Sequence, residues 1–500
     1  MDALSTDASG QEPRSTSSIV SFPDYAAIIN EALEDAEFQS RFAEHAETDI
    51  GNGERFLQAF GDMFRVLDGK TWFAFYDGIW RRELAGEAAF EAAKAAVSAM
   101  QTFARRRGFR GAEWASSSAS LPRLKAMLRC AASRLSTRMS AFNKRHNLLA
   151  VQNGVIEFRN DVTLGYHVVH REAHADDLIT QQADCVYDAE AQAPLWRQHL
   201  ERILPNAATR EYVQCLFGYV LLGGASRQEI YFFHGKGGDG KSTTVDVIRE
   251  VLGGYAVSLD SKLLIQSGGR RGADDASPTL VSLGEGVRLA SASEPQRSQP
   301  LDEAMTKKLA STTSFKARRP YGDLQDIEIN FKVIVECNQL PRYRFDDGMA
   351  RRLIVVPFKV QIPHDERDYD LKDKLLEERS GILNWMIEGA LMNKRSVMPM
   401  PKEVEEATLA YQRLDLSVEQ WVDARVVFGG SFIGDWRDFL EDYEAYCKGH
   451  GLHPRSKADV RKVLHARGAS NGGKDNKTRR VRIRGCRLSS SASGEAGRSL

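Results

Sequence analysis

The residues best equipped for chemistry lie between Gly235 and Thr243, where the chain reads GKGGDGKST directly after the apolar run Ile230-Tyr231-Phe232-Phe233. The spacing is that of a phosphate-binding loop, G-x-x-x-x-G-K-[ST], set between a strand and a helix-compatible segment, Thr244 to Val251. Glycines 235, 237, 238 and 240 let the backbone wrap a phosphate chain, with N–H groups and the positive end of the next helix facing the charge. Asp239 and Thr243 complete the loop. Lys241 is placed to reach the β- and γ-phosphates, and the Ser242 hydroxyl is a ligand for Mg²⁺. These types in this order predict binding of a nucleoside triphosphate with its magnesium ion.

Such a loop predicts nucleotide binding but not the use of the energy, and three later segments bear on that. Gly286 to Glu294 reads as an alternating strand ending in a carboxylate, a place where Mg²⁺ is held or an attacking water oriented. Taken alone, Glu294 is equally a surface residue at a strand end. Ile329 to Asn338, INFKVIVECN, reads as a buried strand delivering Asn338 to the edge where ligands of open α/β sheets collect; an asparagine before Gln-Leu-Pro is also a turn former. Arg351 and Arg352 stand between an acidic turn and the strand Leu353 to Phe358. A paired arginine there suits stabilisation of a transferring phosphoryl group, or a solvated ion pair.

Stepping along the 500 residues, the elements that must hold these groups can be placed. Residues 1–22 and 489–500 read as disordered ends. An α+β N-terminal domain is expected over 23–185. In it Tyr25 to Ala46 is helix-like, Thr48 to Phe60 places a turn before a helix, and Glu87 to Gly108 is a long helix. Asp77-Gly78 marks a tight hairpin between Thr71–Tyr76 and Ile79-Trp80, and Asn153-Gly154 breaks a second strand pair. Helices over 186–227 lead into an α/β nucleotide-binding domain, 228–398. Pro399 and Pro401 open a linker, 399–417, and a smaller domain follows at 418–488. Lysine plus arginine equals aspartate plus glutamate, 68 each, so net charge names no partner. Six scattered cysteines form no C-x-x-C pair, which fits reduced thiols in a cytoplasm. No run approaches the ~18 apolar residues needed to span a bilayer.

Local charge is more telling than net charge. Lys307, Lys308, Lys316, Arg318 and Arg319 precede Tyr321-Gly322-Asp323 and suggest a basic helix followed by a hairpin with its tip near Gly322. From Cys447 to Arg487 there are thirteen lysines and arginines against Asp459 and Asp475. Trp436 to Lys448 and Ser456 to Arg467 are helix-like, Asn471-Gly472-Gly473 reads as a turn, and Thr478 to Ile483 alternates Arg with Val and Ile. Two helices and a basic wing bearing Lys477, Arg479, Arg480 and Arg482 suggest a winged helix for duplex DNA, or a protein adaptor of the same shape.

In these motifs the chain resembles the superfamily 3 helicases, specifically primase-helicases of the phage and plasmid type related to poxvirus replicative NTPases. The residues that carry the resemblance are GKGGDGKST, SASEP at 291–295, VECNQLP at 335–341 and RRLIVVPF at 351–358. Upstream, TDIGNGERFLQAFGDMFRVL, WFAFYDGIW and NLLAVQNGVIEF look like the domain that precedes the helicase in that family. The resemblance implies an AAA+-like P-loop NTPase core that takes ATP, in which Lys241 and Ser242 hold phosphate and Mg²⁺. It makes Glu294 the Walker B acid and Asn338 the sensor. Arg351 or Arg352 is then a finger acting across a subunit boundary, hence a ring, a hexamer. It further implies 3′-to-5′ travel on single-stranded and forked DNA, with six basic hairpins tracking one strand, in replication of a phage, prophage or plasmid in a bacterial cytoplasm. No zinc-binding cysteine set accompanies these motifs, so priming is expected from a separate primase. Two departures stand out. Asp239 replaces the usual asparagine and sets a negative charge beside the phosphates unless it is capped or salt-bridged, and Lys307 to Phe315 lacks the usual Gly-Asp. These leave room for an alternative, a nucleotide-switched DNA-binding initiator or interference factor that does not unwind.

Overall fold

Asp77 and Gly78 both take left-handed backbone, with φ of 50° and 78°, and so turn the chain within two residues in the hand that twisted strands require. In the computed structural model, residues 22–107, 111–224, 226–266, 277–294, 300–318, 324–343, 347–395, 398, 400–413, 417–450, 454–474 and 480–489 are described. The two expected disordered ends fall almost wholly outside them. The chain divides into two units, Met1–Ala141 and Phe142–Leu500.

In the first unit, strands β1 (Phe64–Leu67), β2 (Thr71–Tyr76), β3 (Ile79–Glu83) and β4 (Ser136–Thr137) form a sheet ordered β3-β2-β1-β4. Helices α1 (Asp49–Phe60), α2 (Glu87–Arg107) and α3 (Leu121–Ala132) belong to the same unit. The Thr48 hydroxyl accepts from the Gly51 N–H and starts α1. Alanines 88, 89, 92, 93 and 96 give α2 a flat buried face, and Phe56, Phe60, Phe64 and Trp72 form one aromatic cluster, Trp72 meeting Phe56 and Phe64 edge to face. The helix expected over 25–46 is two, Tyr25–Ala32 and Ala36–Glu44, because Asp35 caps a new start at the Phe38 N–H.

The second unit opens with an antiparallel sheet, β5 (Leu148–Val151), β6 (Gly154–Asp161) and β7 (Gly165–Arg171). Residues 142–185, grouped with the N-terminal domain in the sequence, therefore cluster with the later residues. Helices α4 (Pro194–Ile203) and α5 (Ala207–Leu221) follow. Next come β8 (Ile230–Gly235), α6 (Lys241–Leu252), β9 (Ala256–Ser258), β10 (Leu289–Ser293), α7 (Glu303–Leu309), the antiparallel pair β11 (Phe315–Ala317) and β12 (Gln325–Ile327), β13 (Lys332–Cys337) and β14 (Leu353–Phe358). Strands 8, 9, 10, 13 and 14 make one wholly parallel sheet in the order β14-β8-β13-β10-β9. Its central strands are buried on both faces and read as nearly continuous apolar runs.

Helix α8 (Arg379–Arg395) crosses α5 backbone to backbone. A Cβ on Gly218 would lie 2.1 Å from the Ala390 nitrogen, and one on Gly389 would lie 2.1 Å from the Gln214 carbonyl oxygen. The linker expected over 399–417 is instead largely helix α9 (Lys402–Arg413). Its Thr408 hydroxyl accepts from the Val355 N–H in β14, and Tyr411 donates to the Pro341 carbonyl from within the sheet's core. Pro401 sits at the start of this helix, its carbonyl accepting from the Val404 and Glu405 N–H groups, and Pro399 lies outside the described residues. Helices α10 (Ser417–Arg425), α11 (Trp436–Gly449) and α12 (Lys457–Ala466) then pack with β15 (Val426–Asp435), β16 (Ser470–Lys474) and β17 (Val481–Leu488), ordered β15-β17-β16, around Trp421, Phe439 and Tyr443. Asn471-Gly472-Gly473, read as a turn, lies inside β16, where the register slips between Asn471 and Lys474. Among the described residues no helix is long and apolar enough to cross a membrane.

Candidate functional site

Strand β8 ends at Gly235 and helix α6 begins at Lys241, so the glycine-rich loop lies at the carboxyl edge of the parallel sheet. Gly237, Gly238 and Gly240 have φ of 88°, 64° and 77°, a path that side chains with a Cβ resist. Gly235 is required sterically, since a Cβ there would sit 1.9 Å from Asp239 Oδ2. The Asp239 carboxylate is thus folded back into its own loop. It accepts from the Gly237 N–H at 3.1 Å and from Lys241 Nζ at 3.0 and 3.1 Å. Both side chains are buried. The extra negative charge at position 239 is salt-bridged, to the lysine of the same loop.

From Lys241 a polar chain runs across the strand ends. Lys241 Nζ donates to Asn338 Oδ1 at 2.6 Å, and Asn338 Nδ2 donates to Glu294 Oε1 at 3.0 Å. Asn338 follows β13, and Glu294 leaves β10 with φ of 48°, exposed. Positive φ is uncommon outside glycine and is held here because the Glu294 N–H donates to the Glu336 carbonyl at 2.8 Å. The structure therefore brings Lys241, Asn338 and Glu294, far apart in sequence, into one line. Ser242 is exposed on the first turn of α6, and Thr243 is half-buried.

Three neighbours escaped the sequence reading. Glu336, on β13 beside Phe233 of β8 and Ser293 of β10, is buried, and its Oε2 has no hydrogen-bond partner. Burial pushes its carboxyl up, against the pull of the Ser242 hydroxyl. His199 on α4 meets Thr244 Oγ1 at 3.0 Å, and Thr244 in turn donates to the Gly240 carbonyl at 2.9 Å. Burial, with Arg202 adding to it, lowers the imidazole to about 4, so it is neutral at neutral pH. Arg367 lies over the loop: a Cβ on Gly238 would fall 2.4 Å from its Nη2. None of the three sits at a motif spacing. Only the carboxylate inside the VECN strand, a charge in a buried run, carried a signal.

The arginine pair is not at this edge. Arg351 and Arg352 precede β14, and the Arg352 carbonyl accepts from the Ile230 N–H at the start of β8. Six residues of strand at ~3.3 Å each place them roughly 20 Å from the loop of the same chain. Arg352 donates to Gln228 at 2.9 Å and to the Gly348 carbonyl; Arg351, at 3.3 Å from Gln228, is the more exposed.

Of the basic residues expected on nucleic acid, Lys308 sits 4.8 Å over the Phe315 ring and reaches the Lys316 carbonyl at 3.4 Å. Lys307 and Arg318 are half-buried, and Lys316 is exposed on β11 opposite Asp326. Arg319 and the expected tip at Gly322 lie outside the described residues, as do Lys477 and Arg479. In β17, Ile483 and Cys486 are buried while Arg482, Arg484 and Arg487 are exposed. Arg480 is paired with Asp435 at 3.3 Å.

A mixed α/β architecture with a glycine-rich loop and a polar chain at the carboxyl edge of a parallel sheet defines the class. Residues 53–205 match the family model described as D5 N terminal like. The chain is 27% identical over 232 residues to "Putative helicase L207/L206" of Acanthamoeba polyphaga mimivirus, covering 43% of this chain and 24% of that protein. It is also 27% identical over 286 residues to "Putative helicase 022R" of Frog virus 3 (isolate Goorha), covering 53% and 29%. The matched stretch thus spans about a quarter of the length of these relatives. Among solved structures, the apo A form of the NrS-1 C-terminal region aligns with a TM-score of 0.44 at 10% identity, covering 84% of this chain and 95% of that chain. The matches to the D5 N terminal like model and to the two viral proteins bear out the resemblance to primase-helicases read from the motifs.

Proposed function

We propose that the chain is an ATP-hydrolysing DNA helicase of superfamily 3, with a P-loop NTPase core and a C-terminal winged helix, acting in replication of a phage, prophage or plasmid beside a separate primase. The observation that carries this is the line Asp239–Lys241–Asn338–Glu294 at the carboxyl edge of the sheet. Lys241 is held by Asp239 and Asn338. ATP entering the loop draws the ammonium onto its β- and γ-phosphates, and Asn338 turns from the lysine to the γ-phosphate while keeping Glu294 oriented toward the attacking water.

The residues present fit a magnesium ion, since Ser242 offers a hydroxyl next to a buried carboxylate oxygen that lacks a partner. When bound, it neutralises charge on the phosphate oxygens. Arg351 and Arg352, about 20 Å from their own loop, suit a site completed by a neighbouring chain, which supports a closed ring, a hexamer. Lys316 and its hairpin then face one strand of DNA, with 3′-to-5′ travel following from the family.

ATP-driven separation of a forked duplex, with ATPase followed in parallel, tests this reading. Wild-type protein is expected to unwind and Lys241→Ala to lose both activities; no unwinding on forks of either polarity refutes the helicase. The engagement of Lys241 by Asp239 favours a second reading, a nucleotide-gated DNA-binding switch, for which Lys241-dependent ATPase without strand separation is the expected result.

A further inference from the structure

Two carboxylates stand at adjacent strand ends beside the loop, and their surroundings differ. Glu294 is exposed, past the end of β10, and hydrogen-bonded to Asn338. Glu336 is 6% exposed within β13, one strand nearer to the loop, since β13 pairs directly with β8. It faces the Ser242 hydroxyl, with Asp246, Lys241 and Arg249 as its charged neighbours. Lys241 is already committed to Asp239 and Asn338; Arg249 pairs with Asp246 at 3.2 Å through Nη1, while its Nε is buried without a partner and makes no bond to Glu336. The structure therefore leaves Glu336 Oε2 buried and unpartnered next to the first turn of α6, although a buried acceptor without a partner costs roughly 1–3 kcal/mol. A buried carboxylate kept in that state fits a group that awaits a cation.

We propose that Glu336 and Ser242 together hold the divalent cation of the bound nucleotide, leaving Glu294 to orient the attacking water. The assignment rests on the nucleotide-binding reading above and divides between two strands the two duties often placed on one acidic motif. Asp239, whose carboxylate is turned into the loop, does not compete for the ion. Glu336 acts on the ion directly or through one of its water ligands, in both cases as a fixed negative charge behind Ser242. The consequence is a separation of phenotypes. Loss of Glu336 weakens cation-dependent nucleotide affinity, and loss of Glu294 weakens hydrolysis with nucleotide affinity retained.

The test uses the full chain and a fluorescent ADP derivative, titrated with MgCl₂ so that no turnover intervenes, with Mn²⁺ paramagnetic resonance as a second readout. Glu336→Gln is expected to raise the Mg²⁺ concentration for half-maximal binding about tenfold or more, the usual effect of removing a group that supports a metal site. Affinity in EDTA stays within about twofold, and Glu294→Gln keeps the wild-type Mg²⁺ midpoint. If Glu336→Gln does not fold, as judged by thermal melting, Glu336→Asp in the same titration is expected to raise the midpoint as well. An unmoved midpoint in the Glu336 variant, or a shift in Glu294→Gln instead, overturns the assignment while leaving nucleotide binding intact. Wild-type protein that binds no nucleotide at any Mg²⁺ concentration overturns the underlying reading and this assignment with it.

Discussion

The neutral imidazole of His199 couples helix α4 to the loop, and protonating it should loosen that contact by a calculable amount. Burial lowers the group from 6.5 to about 4, with Arg202 acting in the same direction. Because the folded value is depressed, the unfolded chain takes up the proton first as pH falls. The stabilisation is complete above pH ~6.5 and is lost progressively toward pH ~4. At ~1.4 kcal/mol per pH unit the full displacement corresponds to roughly 3 kcal/mol, of which about 2 kcal/mol is lost by pH 5. Trp196, 5.9 Å from the imidazole and 5.4 Å from Trp385, supplies the fluorescence signal. Urea unfolding at pH 7.5 and 5.0 should show wild-type protein losing about 2 kcal/mol more than His199→Gln, which keeps a donor for Thr244 but has no proton to gain. Burial lowers His146 and His234 as well, so a residual slope is expected in the variant. Equal losses in the two proteins would refute the reasoning.

Other expectations follow from single contacts. Asp239→Asn keeps an acceptor for the Gly237 N–H but releases the Lys241 ammonium, so nucleotide should bind about tenfold more tightly while the empty protein melts lower; weaker binding in a fluorescence titration would contradict the salt-bridged loop. Gly218→Ala inserts a methyl group 2.1 Å from the backbone of α8 and should cost about 2 kcal/mol in chemical denaturation. Equimolar mixing of Lys241→Ala with Arg351→Ala should recover about a quarter of wild-type ATPase if each site joins two chains, and none if the arginine serves its own loop. Binding to single-stranded DNA should weaken as salt rises, and Lys316→Ala should lower the slope of that dependence by about 1.

What could be read from the sequence was what local chemistry specifies. The loop's glycine spacing, the Asp77-Gly78 turn and the alanine-rich helix over Glu87–Arg107 depend on neighbours within a few residues, and all three are in the structure. Elements whose fate is decided by distant partners were not legible. Residues 402–413 looked like a linker because two prolines precede them, yet Thr408 and Tyr411 are recruited by β14 and Pro341. Asn471-Gly472-Gly473 has turn chemistry, but pairing with β17 draws it into a sheet. In the site, Lys241, Asn338 and Glu294 were found because they close recognisable motifs. His199 and Arg367 were missed because each acts through a long-range contact that has no period, and Glu336 because a charge in a buried run was its one mark. Asp239 was seen, whereas its partner Lys241 became evident only from the backward fold of the loop.

One contact at the amino-terminal edge of the parallel sheet bears on how the sheet is held in place. Arg288, just before β10, is buried with its guanidinium bonded to the carbonyls of Leu221, at the end of α5, and Leu148, in β5, and it lies 4.7 Å over the Tyr255 ring. A guanidinium keeps its charge, and drawing it away from those oxygens without water would cost several kcal/mol. That edge is therefore clamped to the helix and small sheet that come before it in the chain. Parting these elements would leave the buried Leu221 and Leu148 carbonyls without their donor, so a substitution at Arg288 is felt in the helix, the small sheet and the parallel sheet at once.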